Sequence, residues 1–258
     1  MPDVARELEA LYGSAEPPRP GVLHVVLAAR AADGRLSVLR IGAPSTPRSE
    51  SDFFVVNATR AHADAIVTSA ENLRREPQLN HALQGPWASA LAQYRREVLH
   101  KSAPLTVAIL TRTGDLPCPH PFWSDGTTKL VMTPAGTSSQ ARELATPDPV
   151  HFLAVPNLDV VSAARSLHAR GLPLVSVEAG PRTASALYDA QVVSELWLTR
   201  WESVTRDAEF AGALPDDALL FRGLTLLGSA RRREGGHDLR FERWARAAPA
   251  AGHSERAP

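Results

Sequence analysis

Short apolar runs of strand length recur along this chain, most followed by a stretch of helix length, and that alternation restricts the fold more than any other feature. The runs are Val22–Ala28 (VLHVVLA), Asp64–Thr68 (DAIVT), Leu105–Leu110 (LTVAIL), Lys129–Met132 (KLVM), Val150–Val155 (VHFLAV), Leu174–Val177 (LVSV) and Glu195–Thr199 (ELWLT). The most continuous lack the apolar–polar alternation of a sheet with one wet face, so they predict strands covered on both sides. Val4, Leu8 and Leu11 share a face of a first helix, which Gly13 and the proline-rich SAEPPRPG end. Ser49-Glu50-Ser51-Asp52 opens a helix to His62, since Ser and Asp side chains accept hydrogen bonds from free backbone N–H groups. Further helices are expected over Trp87–Leu99, over Ser138–Leu144, from an Asn157 cap to Arg170, and over Thr183–Ala190, while Ser69–Pro77 reads as a loop and turn. Leu36–Ile41 is a strand, and Leu224–Leu227 with Leu239–Phe241 reads as a hairpin around Gly235-Gly236. The expected fold is α/β: a mostly parallel central sheet flanked by helices, closed by an antiparallel C-terminal hairpin. Residues 1–246 are expected to be one domain and 247–258 a disordered tail.

Charge and composition exclude several classes. Lys+Arg and Asp+Glu balance at 28 each, so the chain lacks the basic footprint of a nucleic-acid binder. The single cysteine, Cys118, leaves no internal disulfide and no cysteine-based zinc site within one chain, and no metal is expected. The charged N-terminus has no apolar signal core, and no run approaches the ~20 apolar residues of a membrane helix. These features predict a cytoplasmic protein without nucleic-acid or membrane partners, acting on a small-molecule substrate.

In open α/β sheets, ligands bind beyond the carboxyl ends of the parallel strands. Ser69–Glu76, Thr111–Thr113, Pro156–Leu158 and Glu178–Thr183 stand there. The last leaves a strand, turns at Gly180 and starts a helix, where free N–H groups and the helix dipole favour an anion. Glu178, just past an apolar strand, needs partners or a proton. It reads as a helix cap or ion pair, or as a substrate contact or proton relay. The sequence lacks a G-x-G-x-x-G fingerprint, a Walker-type loop, a G-x-S-x-G elbow and H-E-x-x-H.

Several blocks, in order, resemble the reductase domain of the riboflavin-biosynthesis deaminase-reductases and their stand-alone relatives. Glu178-Ala179-Gly180-Pro181 resembles the family's Glu-Gly-Gly-Pro strand end, and Gln191-Val192-Val193-Ser194-Glu195-Leu196 its Gly-Leu-Val-Asp-Glu-Leu. Arg60-Ala61-His62-Ala63-Asp64-Ala65 precedes a strand as in the family. Ser69-Ala70-Glu71-Asn72-Leu73-Arg74-Arg75-Glu76 stands for Gly-x-Gly-Thr-Val-Arg-x-Glu, and Thr111-Arg112-Thr113-Gly114-Asp115-Leu116 for its strand exit. The resemblance implies a dihydrofolate-reductase-like fold, NADPH as hydride donor and a homodimer. It places Ser69, Ala70, Asn72 and Leu73, with Gly180, Pro181, Arg182 and Thr183, at the cofactor's diphosphate and ribose. Thr111 and Arg112 would meet its 2′-phosphate. Glu76 and Glu178 would line the substrate side, with Glu178 catalytic.

The chain departs from that pattern where Ser69, Glu71 and Ala179 replace glycines, and Asn72 replaces threonine. A carboxylate at Glu71 repels a pyrophosphate unless it points away. The resemblance implies an NADPH-dependent reductase of a pyrimidine-like or other heterocyclic substrate. The alternative is a fold relative without catalysis, acting as a nucleotide-binding or structural dimer.

Overall fold

A computed structural model describes residues 2–40, 43–46, 48–135, 137, 149–203 and 208–247. Its strands form one eleven-stranded sheet. After helix α1 (Val4–Tyr12), β1 (Gly21–Arg30) runs through the middle of the sheet. β2 (Leu36–Leu39) and helix α2 (Glu50–His62) lead to β3 (Ala65–Ser69), helix α3 (Ala70–Arg75) and helix α4 (Ala88–Glu97). β4 (Thr106–Leu110), a 3-10 turn (Pro121–Ser124), β5 (Thr128–Pro134) and β6 (Val150–Val155) follow. Then come helix α5 (Val160–His168), β7 (Leu174–Val177), helix α6 (Pro181–Asp189) and β8 (Val193–Trp201). β9 (Phe210–Ala213), helix α7 (Asp217–Leu220), β10 (Leu224–Glu234) and β11 (His237–Arg246) complete the described elements.

The strand order is β10-β11-β8-β1-β7-β3-β4-β5-β6. From β8 to β6 every neighbouring pair is parallel, whereas β11 runs antiparallel to β8 and β10 antiparallel to β11. The parallel sheet and closing hairpin expected from the sequence are present. Helices α1, α2 and α4 cover one face, where Leu8, Leu23, Phe54, Trp197 and Phe241 pack together. Helices α5 and α6 cover the other, over Val26, Val175 and Leu198. A third cluster lies beneath α3, with Ile66, Leu73, Val107 and Phe122. Covering both faces explains why β3, β4 and β7 are near-continuous apolar runs. Among the described residues, no helix is long and apolar enough to cross a membrane.

The structure corrects several boundaries. Ser69–Pro77 is not wholly a loop: Ser69 caps α3 by accepting from Asn72 N at 3.2 Å, and Ala70 and Leu73 turn into the core. Six residues are too few for a periodic signal to stand out. Helix α5 is capped by Asp159, not Asn157, its carboxylate accepting from Ser162 N at 2.8 Å. Helix α6 starts at Pro181 rather than Thr183, because proline suits the first helical position, where its missing N–H is no loss. Strand β9 and helix α7 were not expected. The helix expected over Ser138–Leu144 and residues 248–258 of the expected tail lie outside the described residues.

Gly228 lies at a close approach of α1 to the hairpin. A Cβ there would lie 1.8 Å from the backbone oxygen of Tyr12, at the end of α1. That contact is backbone on one side, so no side-chain rotation relieves it. Gly228→Ala is expected to cost about 1–3 kcal/mol, as overpacking does, read as a lower urea midpoint.

Candidate functional site

The strand order reverses where β7 inserts between β1 and β3. Such a switch point opens a crevice at the carboxyl ends of the strands. β7 pairs with β1 only over Gly21–His24, and β2 takes up pairing with β1 at Ala28–Arg30. The chain leaving β7 therefore emerges between β3 on one side and the β2–β9 ribbon on the other. Register puts Val177 opposite Val67, and Ser69 opposite Leu110. Glu178, the start of α3 and Thr111 consequently follow three neighbouring strand ends.

Glu178 is held by Arg60, from the last turns of α2. Arg60 Nε donates to Glu178 Oε1 at 2.9 Å and Nη2 to Oε2 at 2.7 Å, a bidentate pair. The two side chains are 6% and 13% exposed, so the pair is largely withdrawn from water. Arg60 Nη1 also donates to the carbonyls of Asn80 and Ala82, both at 3.3 Å. Burial pushes the Glu178 carboxyl up, but the Arg60 charge and hydrogen bonds outweigh it, and the net pKa lies below the usual glutamate value. Glu76, at the C-terminus of α3, goes the other way. Burial and repulsion from Glu178 raise it, with Arg60 opposing.

His81 stands 3.8 Å from Glu178, and its ring nitrogens are buried without a hydrogen-bond partner. Burial lowers its pKa to about 4, which makes it neutral at pH 7. Its backbone N–H donates to Asp125 Oδ2 at 2.9 Å. Asp125 in turn accepts from the fully buried Lys129, whose Nζ also donates to Thr127 O and Oγ1. This satisfied group anchors the loop that carries His81 beside the carboxylate.

The structure gathers the expected residues unevenly. Gly180 is the N-cap of α6 without a side-chain bond, and a Cβ there would meet nothing within 4 Å, so the backbone faces open space. Arg182 is exposed and Thr183 half-buried beside it. Asn72 Nδ2 donates to Glu178 O at 3.0 Å and to Thr68 Oγ1 at 3.3 Å, tying α3 to the end of β7. Leu73 and Ala70 are buried in the core, which leaves them only backbone to offer a ligand. Thr111 Oγ1 accepts from Gly114 N at 3.1 Å and shapes the turn, whereas Arg112 is exposed and has no ion pair among the described residues. Glu71 turns outward to Arg74 and Arg75, at 3.1 and 2.8 Å, which neutralises the feared repulsion. Pro156–Leu158 follows β6, three strands beyond β3, and Leu158 packs on the core rather than joining the crevice.

Arg60 and His81 were not anticipated as site residues. Arg60 had a signal, a charge among the apolar neighbours Ala58 and Ala61 on a helix meant for the core. His81 had none, because a loop residue has no periodicity to read. Among the described residues, no group of three or more His, Cys, Asp or Glu is placed to hold a metal ion.

Residues 25–200 match the model of the RibD C-terminal domain family. A search of the curated proteins finds no match. Among solved structures, the chain resembles a pyrimidine reductase-like protein of Corynebacterium diphtheriae, with 22% identity and a TM-score of 0.63, over 94% of this chain and 99% of that one. It also resembles the riboflavin biosynthesis reductase of Saccharomyces cerevisiae, with 15% identity and a TM-score of 0.54, over 96% and 100%. A third is a Thermotoga maritima diaminohydroxyphosphoribosylaminopyrimidine deaminase/5-amino-6-(5-phosphoribosylamino)uracil reductase, with 16% identity and a TM-score of 0.57. The match covers 89% of this chain but only 57% of that longer protein.

Removing one partner of the Arg60–Glu178 pair leaves the other charge buried alone. Arg60→Met and Glu178→Gln are each expected to cost about 3–5 kcal/mol in urea unfolding, and the double variant less than the sum. Because the folded pKa of Glu178 is depressed, the pair's contribution is present above the unfolded carboxyl pKa of about 4.3. It is lost as pH falls through the folded value, so wild type and Glu178→Gln should converge in stability in acid.

Proposed function

The chain belongs to the RibD C-terminal domain family, and on that footing we propose that it is an NADPH-dependent reductase of a pyrimidine-bearing substrate. The observation that carries the reading is a pair of carboxylates at one switch-point crevice, pushed apart in acidity. Glu178 is held ionised by Arg60, while Glu76 is raised toward the protonated form. Two acids with diverging environments are the usual basis for dividing acid and binding roles.

The fold offers a fitting bed for a dinucleotide. The open backbone at Gly180 and the N-terminus of α6 suit a diphosphate, and the exposed Arg112 suits a 2′-phosphate. Ser69 and Asn72 are already engaged in capping α3 and tying it to Glu178, so they serve by fixing that bed. The bound cofactor supplies the hydride. Glu178, unable to donate a proton, accepts hydrogen bonds from substrate N–H or O–H groups and sets their orientation. Glu76, whose carboxyl is raised by burial and by Glu178, would be the group to give a proton to the heteroatom of a C=N or C=O bond whose carbon the cofactor's hydride would reduce. Water then reprotonates Glu76. The buried His81 is uncharged and so adds no positive charge beside Glu178.

Titration with NADPH is expected to raise the melting temperature, because a ligand that binds only the folded state stabilises it by about 2.7 kcal/mol at 100 times its Kd. Arg112→Ala should weaken NADPH about tenfold or more and leave NADH nearly unchanged, as loss of a charged hydrogen bond predicts. No response at millimolar NADPH would refute the cofactor assignment. A proton donor must be protonated to act, so kcat should fall as pH rises through the raised pKa of Glu76. Glu76→Gln should lower kcat about 10²–10⁴-fold and remove that alkaline limb; a limb that persists would assign the proton to another group.

A further inference from the structure

From Glu178 a continuous set of contacts runs outward to an aromatic ring that the proposed chemistry leaves unused. Arg60 binds the carbonyls of Asn80 and Ala82. One turn before it on α2, the buried Asn57 accepts from Gln84 N at 2.7 Å through Oδ1 and donates to Phe53 O at 2.8 Å through Nδ2. Phe53, one further turn away, lies over Gly85: a Cβ on Gly85 would come 2.4 Å from the ring. Phe53 stands about two turns N-terminal to Arg60 on the same helix. Phe53 is 40% exposed, one of four exposed large apolar side chains among the described residues.

Two carboxamides on the loop that leads to Gly85, beneath the ring, are oriented by the protein. Gln84 Nε2 donates to the backbone carbonyl of Asn80 at 3.3 Å, and a carbonyl can only accept. The same nitrogen donates to Asn80 Oδ1 at 2.5 Å. Gln84 Oε1 and Asn80 Nδ2 are therefore left over, with no partner among the described residues. Both residues are half-buried. Together they offer one acceptor and one donor on a mutually bonded pair, on the loop whose Gly85 the Phe53 ring covers.

We propose that Phe53, Asn80 and Gln84 form a recognition wall for a planar ring carrying an amide edge, an adjacent C=O and N–H. Asn80 Nδ2 donates to the ring's C=O, Gln84 Oε1 accepts from its N–H, and Phe53 stacks on its face. The lactam of a pyrimidinone and the carboxamide of a nicotinamide share this chemistry. The inference deepens the reductase reading by naming what selects the ring at the same crevice, and it rests on that reading for its biological sense. Position 85 has φ +72°, a left-handed backbone that favours glycine, and a Cβ there would press on the Phe53 ring.

Saturation-transfer NMR on the full chain tests the wall with three probes: uracil, nicotinamide, and 2′,5′-ADP, which carries the 2′-phosphate but no nicotinamide. Wild type is expected to bind at least one of the two ring amides. Phe53→Ala, an exposed position whose urea midpoint should not move, and Gln84→Met should each weaken that ring on the order of tenfold. Loss confined to uracil assigns the wall to the substrate, and loss confined to nicotinamide assigns it to the cofactor. In turnover, the first case raises the substrate KM and the second the NADPH KM, whereas a merely structural change lowers the urea midpoint instead. If wild type binds neither ring, or both variants bind as wild type does, the wall is overturned. Binding of 2′,5′-ADP without ring binding would sink the wall and spare the reductase reading; ring binding without 2′,5′-ADP would do the reverse.

Discussion

A guanidinium and a carboxylate, both taken largely out of water, join helix α2 to the end of strand β7. Charges so placed are tolerated only when geometry and further hydrogen bonds satisfy them. Here the pairing is bidentate, and the Nη1 group of Arg60 donates to the Asn80 and Ala82 carbonyls. The pair thereby organises three separate pieces of chain: a helix, a strand end and a loop. The loop is also held at His81 by Asp125 and at Gln84 by Asn57.

The same pair divides the acidity of the crevice. Arg60 stabilises the nearer carboxylate and leaves Glu76 to feel burial and like charge. Pre-oriented charge in a water-poor site acts without reorganisation at the moment of reaction. Supporting groups lie one layer back. Asp125 and Lys129 anchor the His81 backbone, and Asn72 anchors the Glu178 carbonyl. Asn72 stands where the family carries threonine, and its longer amide spans the gap to the β7 exit.

Elements with strong periodicity or length were legible. β1, β3, β4 and β7 appear as apolar runs because two helical layers cover them, and the hairpin appears because Gly235-Gly236 separates two β-runs. Short elements were not. Helix α3 has six residues and depends on the Ser69 cap, and β9 has four residues that pair only with β2. Glu178 was legible as a site residue from its place after an apolar strand. Arg60 and His81 were not, since their roles come from partners 118 and 97 positions away in the chain.

The sequence by itself determined the layered α/β architecture, the closing hairpin and the crevice-facing turn at Gly180, because period and turn chemistry are local properties. Tertiary structure alone decided which strand ends are neighbours. Inserting β7 between β1 and β3 brought Glu178 beside α3 and left Pro156–Leu158 outside. It also decided charge states: Glu178 ionised, Glu76 raised, His81 neutral. Acidity depends on burial and on which charges lie nearby, and no local stretch of chain contains that information.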